Sequence, residues 1–353
     1  MTTIIRTQAS GILSQILFLL IFQTALIASA TAISAELDLP GYQRHDGAMT
    51  VHINGDTIDP YFATKALLAA QEAGLDIRRS GVKWIEWALQ HQRTDGSFDR
   101  FCRKDEGYIV CAHADADDAM MAVWIELLIK LTPPAGMPSS WETSLRMASR
   151  YLSGLYDKGT GIYFISNTLR VGLLMDNVEV YSAQNTLRKF YSASGDAVRA
   201  HIIANEAAQL RKNIVRVFWQ PRLKNLRVST QKNTKSGFYP DQVAQLYPLI
   251  ANMPIPLDKN TTYTRWMTGN RQAWLWRTDI DYPWGLVALA ASKMGDRDTV
   301  DCWLTHARPL QHGQHWNILE ESLYQAFTAR TQPNNNTLID NDTRLACRGH
   351  TPQ

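Results

Sequence analysis

Three short strings in this chain, Ala73-Gly74-Leu75-Asp76, Ser194-Gly195-Asp196 and Met294-Gly295-Asp296, carry one instruction: end a helix on glycine and start the next on an acid. Glycine ends helices because it enters left-handed backbone without a Cβ clash. A carboxylate placed just after it accepts from the orphan N–H groups of the following helix. A chain that does this repeatedly folds back on itself as helical hairpins. Pro133-Pro134-Ala135-Gly136 makes an equivalent break. Asp59-Pro60 and Gly74 bracket a first helix over Pro60 to Ala73. Arg79 to Gln92, apolar at Val82, Ile85, Ala88 and Leu89, reads as its antiparallel partner. Gly-aromatic strings such as Asp95-Gly96-Ser97-Phe98, Gly161-Ile162-Tyr163-Phe164 and Gly237-Phe238-Tyr239 read as short extended turns between hairpins.

Collected along the chain, these signals predict about eleven helices, with the first helix of each pair starting near residues 60, 115, 176, 240, 282 and 317. Six hairpins of roughly 45 to 60 residues bury each other's faces as a ring of inner and outer helices. The expected fold is all-α, an (α/α)6 toroid over residues 36–330, with an open solenoid of the same hairpins as the alternative. Closure is favoured because the pairs stop at six and the early inner helices are apolar nearly all round. The helix after His113 shows this best, with Met120, Met121, Val123, Trp124, Leu127, Leu128 and Leu131 spread over a wide arc. Glu36 to Thr57 reads as an irregular arm leading into the domain.

With 353 residues, 45% of them hydrophobic, the chain can bury such a core. A net charge of +3 without a basic run interleaved with aromatics argues against nucleic acid as a partner. Arg6, the apolar run Ile16 to Ile27, and small residues including Ala30-Thr31-Ala32 have the layout of a secretory signal peptide over residues 1–35. Gln15, Gln23 and Thr24 interrupt a run already shorter than the ~20 residues a spanning helix needs. The mature chain is therefore expected to be exported, periplasmic or extracellular, without stable membrane insertion. Residues 331–353 read as a polar C-terminal extension.

Four cysteines suit an exported chain with disulfides. Cys102 with Cys111 would close a small loop, and Cys302 could tie down Cys347 in the extension. Free thiols remain an alternative. The cysteine spacings fit no structural zinc site, and His306, His312 and His315, in a stretch without a neighbouring acid, read as an exposed loop. Neither a metal nor another cofactor is expected.

If the inner helices run the same way, their N-termini meet at one mouth, and nearly every one brings an acid there. Asp115, Asp117 and Asp118 open the second; Asp176 and Glu179 the third; Tyr239 and Asp241 the fourth; Asp279, Asp281 and Trp284 the fifth; Asn317, Glu320 and Glu321 the sixth. Capping explains part of this, and Asp115 is the natural cap of its helix. Converging carboxylates, however, repel one another and lose solvent, which raises some of their pKa values. One protonated and one ionised carboxyl is what glycoside hydrolysis needs. Asp118, Asp176 and Glu179 are the catalytic candidates. Asp117, Tyr181, Tyr239, Asp241, Asp281 and Trp284 are the candidates for binding substrate, with aromatic faces available for stacking on sugar rings.

The strings Leu174-Met175-Asp176-Asn177-Val178-Glu179-Val180-Tyr181, Tyr239-Pro240-Asp241-Gln242 and Asp281-Tyr282-Pro283-Trp284 resemble helix starts of bacterial six-hairpin glycosidases. The resemblance covers most of residues 55–330. It implies the (α/α)6 toroid and a carbohydrate substrate; such proteins include polysaccharide hydrolases, unsaturated-uronyl hydrolases and lyase domains. Two alternatives stay open. Asp115-Ala116-Asp117-Asp118 matches the D-x-D-D of class II terpene cyclases, and Gln92 to Phe98 resembles their Gln-x-x-x-Gly-x-aromatic repeat. A non-catalytic ring that binds glycan or assists polysaccharide assembly would keep the aromatics without needing two placed acids.

Overall fold

The computed structural model describes residues 34–105, 107–114, 116–232, 237–276, 282–331 and 347. Four hairpins have long helices on both limbs or nearly so. They are α1 (Pro60–Glu72) with α2 (Arg78–His91), α3 (Asp117–Leu131) with α4 (Ser139–Gly154), α5 (Leu174–Ala193) with α6 (Ala197–Phe218), and α9 (Gly285–Lys293) with α10 (Arg297–Ala307). In the remaining pair, irregular helical turns over Phe238–Leu246 lead into the short α7 (Tyr247–Ile250), followed by α8 (Lys259–Leu275). The last inner helix is α11 (Ile318–Thr331).

The ring closes. Each inner helix packs on the next in the order α1, α3, α5, α7, α9 and α11, and α11 packs back on α1. The turns work as their residues dictate: Gly74, Gly195 and Gly295 all take positive φ, and Asp196 and Asp296 accept from the N–H groups of Arg199 and Thr299. Asp59 caps α1 through the N–H of Tyr61 at 3.0 Å. The inner helices are buried almost all round: in α3, Trp124, Leu127 and Leu128 are fully out of solvent. That all-round burial is why α3 has no polar face and must sit inside a second layer.

One limb differs from the expected six pairs. No outer helix partners α11 among the described residues; the arm before α1 lies there instead. Its Val51 carbonyl accepts from the Ile318 N–H at 2.8 Å, and its Asp38 carbonyl accepts from the Gln325 side chain at 2.6 Å. Leu37, Leu39, Tyr42 and Met49 bury themselves in the core. Pro40, Gly41, Gly47 and Gly55 keep this stretch from being helical, with Gly41 and Gly47 at positive φ.

Two of the Gly-aromatic strings, Asp95-Gly96-Ser97-Phe98 and Gly161-Ile162-Tyr163-Phe164, lead into or form short antiparallel ribbons before the next inner helix, whereas Gly237-Phe238-Tyr239 opens irregular helical turns and not a ribbon. The largest is a three-stranded sheet of β1 (Thr57–Ile58), β2 (Asp99–Lys104) and β3 (Gly107–His113), with Cys102 disulfide-bonded to Cys111 across it. Cys302 is bonded to Cys347. Of the His-rich stretch, His312 and His315 lie in an exposed loop as expected, whereas His306 lies in the last turn of α10, and His312 does have an acid beside it, its Nε2 standing 3.3 Å from Glu321 Oε2. The acid comes from α11, distant enough along the chain to escape a local reading.

Candidate active site

Asp117 and Asp118 both occupy the first turn of α3, where the helix dipole favours carboxylates. The N-cap position itself is Ala116, which has no side chain to offer, and Asp115 lies outside the described residues. The two acids then diverge. Asp117 turns toward the outer layer, where the Tyr151 hydroxyl donates to it at 2.7 Å; burial nonetheless pushes its carboxyl above the ordinary range. Asp118 turns inward and is fully buried, with one oxygen accepting from the Ala119 N–H at 3.0 Å.

Asp176 occupies the matching place in the first turn of α5, the neighbouring inner helix, and is 5% exposed. Asn177 beside it holds this helix start by bonding both the N–H and the carbonyl of Tyr163, at 2.8 and 2.9 Å. The carboxyls of Asp118 and Asp176 come near enough to interact, and the contact with Asp176 lowers Asp118 rather than raising it. Burial is the main cause that pushes Asp118 up to about 7, with the nearby Glu179 adding repulsion. Two such carboxyls titrate as a unit.

One turn further along α5, Glu179 receives the Tyr61 hydroxyl at 2.9 Å and the Lys65 ammonium at 2.5 Å, both from α1. Burial raises its carboxyl despite Lys65, which favours the ionised form. Lys65 also lies 5.0 Å over the Tyr247 ring of α7. The phenols of Tyr61 and Tyr247 are driven well above their usual range, first by burial and then by the charge on Glu179. A small cavity of about 70 Å³ runs on from there toward the C-terminal ends of the inner helices, lined in part by Lys65, Glu72, Glu126, Lys130 and Glu179.

Aromatic rings gather around the fourth and fifth inner N-termini. Tyr239 stacks on Trp284 with centroids 4.9 Å apart and planes at 16°, and Tyr282 meets Trp284 edge-on at 5.9 Å. Tyr239 is 50% exposed. Asp241 stands apart from the buried acids: its carboxylate accepts from the Gly237 N–H at 2.8 Å and lines a polar cavity of about 710 Å³ beside Arg227 and Arg265. That cavity is larger than the one beside Lys65, but Asp118, Asp176 and Glu179 do not line it. Tyr181 lies two turns into α5 and is half-buried. Asp281 lies outside the described residues.

Lys65 and Tyr247 are part of this constellation and escaped the sequence reading. The signal for Lys65 was present: it is a single cation in the otherwise apolar run Phe62 to Ala70, a helix with no solvated face to receive it.

No protein-family model matches the sequence, and no curated protein does. Solved structures do match. A novel alpha-amylase from Clostridium perfringens superposes with a TM-score of 0.57 at 10% identity, over 82% of this chain and 94% of that one. An uncharacterized conserved protein from Thermus thermophilus gives 0.54 at 10% identity, over 82% and 97%. D-mannose isomerase gives 0.52 at 13% identity, over 88% and 97%. The chain shares the helical toroid fold of these structures. At these identities the likeness speaks for the toroid alone.

Proposed function

We propose that the chain is an exported glycoside hydrolase-like protein that acts on a poly- or oligosaccharide through the carboxyls buried at the mouth end of the ring. The observation that carries this reading is the burial of three carboxyls, Asp118, Asp176 and Glu179, on the neighbouring inner helices α3 and α5, which pushes Asp118 up to about 7 and leaves it a proton to give near neutral pH. Asp118 and Asp176 together fill one role, the proton donor, burial being what keeps the proton on Asp118. Glu179, beside Lys65, is the second carboxylate.

In hydrolysis the proton of the pair passes to the glycosidic oxygen as the bond to the anomeric carbon breaks. Water adds to that carbon, and its proton passes to the ionised carboxylate. The Tyr239 and Trp284 rings supply a stacking surface for the sugar. Because Asp118 is fully buried, the mouth must open for a sugar to reach it. The layout of residues 1–35 supports export, with the protein expected in the periplasm or outside the cell.

The same burial favours a second reading, a glycan-binding ring in which the acid pair only rivets α3 to α5. The two are separated by measuring reducing-end release from a panel of glycans with the unmodified protein and with Asp118→Asn and Asp176→Asn. Hydrolysis predicts that each substitution lowers release at least a hundredfold. Equal release by all three proteins overturns the assignment, and glycan binding without release by the unmodified protein supports the second reading.

A further inference from the structure

Among the described non-glycine residues with positive φ, Trp284 is the largest, at φ 55° and ψ 56°. Bulky side chains disfavour left-handed backbone, and where one is found there the surroundings over-determine it. Three helices do so here. The Pro283 carbonyl accepts from the indole N–H of Trp274 in α8 at 2.9 Å and of Trp303 in α10 at 3.1 Å. Glu320 of α11 accepts the Gly285 N–H at 2.8 Å. Trp274, Trp303 and Glu320 are each 2% exposed or less. The fit is close: a Cβ on Gly285 would stand 2.8 Å from Glu320 Oε2 and 2.9 Å from the Trp303 ring.

The arrangement replaces an ordinary cap. A helix start normally carries Ser, Thr, Asp or Asn at its N-cap, whose side chain takes up the first N–H groups. The N-cap of α9 is Trp284, which cannot do this. The carboxyl of Glu320 supplies the cap from another helix, and the N-cap position is released to carry an indole. That indole stacks on Tyr239 at the mouth.

We propose that Glu320 is a positioning residue for carbohydrate: by capping α9 from α11 it holds Trp284 left-handed, so that the Trp284 and Tyr239 rings form one preset sugar-stacking subsite. This rests on the carbohydrate reading of the mouth.

Three variants test it. Glu320→Met fills the same volume without an acceptor, Glu320→Gln keeps an acceptor oxygen, and Trp284→Ala removes the ring. The readouts are far-UV and near-UV circular dichroism, and affinity for maltohexaose, cellohexaose and mannohexaose by calorimetry. For any of these that is turned over, kcat and KM are measured as well. Expected for E320M is an unchanged far-UV spectrum, loss of the same near-UV aromatic band that W284A loses, and hexasaccharide affinity weakened at least tenfold. KM should rise with kcat altered less than twofold. E320Q should retain the band and the affinity, and E320M combined with W284A should bind no worse than W284A alone. Retention of the W284A-sensitive band in E320M, a parallel fall in kcat, or additive losses in the double variant overturns the proposal. Should E320M not fold, Glu320→Asp, which withdraws the carboxylate by one methylene, must show the same losses at smaller amplitude. If the unmodified protein binds none of the hexasaccharides, the carbohydrate reading fails separately, and the near-UV band still decides whether Glu320 sets Trp284.

Discussion

Lys65 of α1 and Glu179 of α5 meet at 2.5 Å although their helices are not neighbours in the ring, so the pair ties the inner layer together across its interior. Their side chains are 12% and 6% exposed. Lys65→Met leaves Glu179 buried without its counter-charge, which should cost about 3–5 kcal/mol in urea denaturation. Adding Glu179→Leu removes the stranded carboxylate and should recover most of that loss. A double variant as unstable as the single one would show that the interior charge is not the cause.

The ring was legible in the sequence because it is built from local signals. Gly74, Gly195 and Gly295 with the acids after them mark the turns, and apolar residues all round α3 mark an inner helix. Asp118 and Asp176 could be singled out as candidates because both stand in the first turns of inner helices, a position local sequence marks. What could not be read was the choice between adjacent groups. Asp117 and Asp118 look alike in sequence, and only packing turns one to Tyr151 and the other to Asp176. Long-range partners were equally hidden. Lys65 crosses the ring, Glu321 reaches His312, and the arm before α1 covers α11, all through contacts that no spacing rule encodes. The strained start of α9 was visible only as Asp-Tyr-Pro-Trp-Gly, a string that does not name Glu320 as its cap.

Asp118 gives stability a pH dependence of definite sign. Its carboxyl is pushed up to about 7 in the folded protein, against about 3.9 in an unfolded chain. Between those values the native state binds a proton that the unfolded state has released, so stability falls as pH rises from about 4 to 7 and then levels off. Glu320, also pushed up to about 7 by burial, acts in the same direction. Asp118→Asn should therefore flatten the slope by up to about 1.4 kcal/mol per pH unit. The variant should melt higher than the unmodified protein at pH 8 while losing glycan turnover. Lower stability at pH 8 would instead assign the pair a structural role.

Tyr239 should affect binding and not folding. It is half exposed, so Tyr239→Ala should change the urea midpoint by no more than about 0.5 kcal/mol of stability. Loss of a ring from the stack with Trp284 should weaken glycan binding by about 1 kcal/mol, close to fivefold. Calorimetric titration of the two proteins with the same hexasaccharide checks this. Equal affinities would place the sugar elsewhere in the ring.

Cys347 should be the residue through which the C-terminal end stabilises the ring. Its disulfide to Cys302 closes 45 residues of chain, a constraint on the unfolded state of about 4 kcal/mol in the entropic model. It also serves Arg271, which is 2% exposed: the guanidinium donates to the Cys347 carbonyl at 2.9 Å and to Thr299 at 3.1 Å, and burial lowers its pKa. Replacing both cysteines by serine removes the covalent constraint and keeps that carbonyl in the chain. Deleting residues 332–353 removes both, and strands a buried cation. Denaturant unfolding should therefore rank the unmodified protein above the double serine variant, and that variant above the truncation. A truncation as stable as the double serine variant would show that Arg271 gains nothing from Cys347.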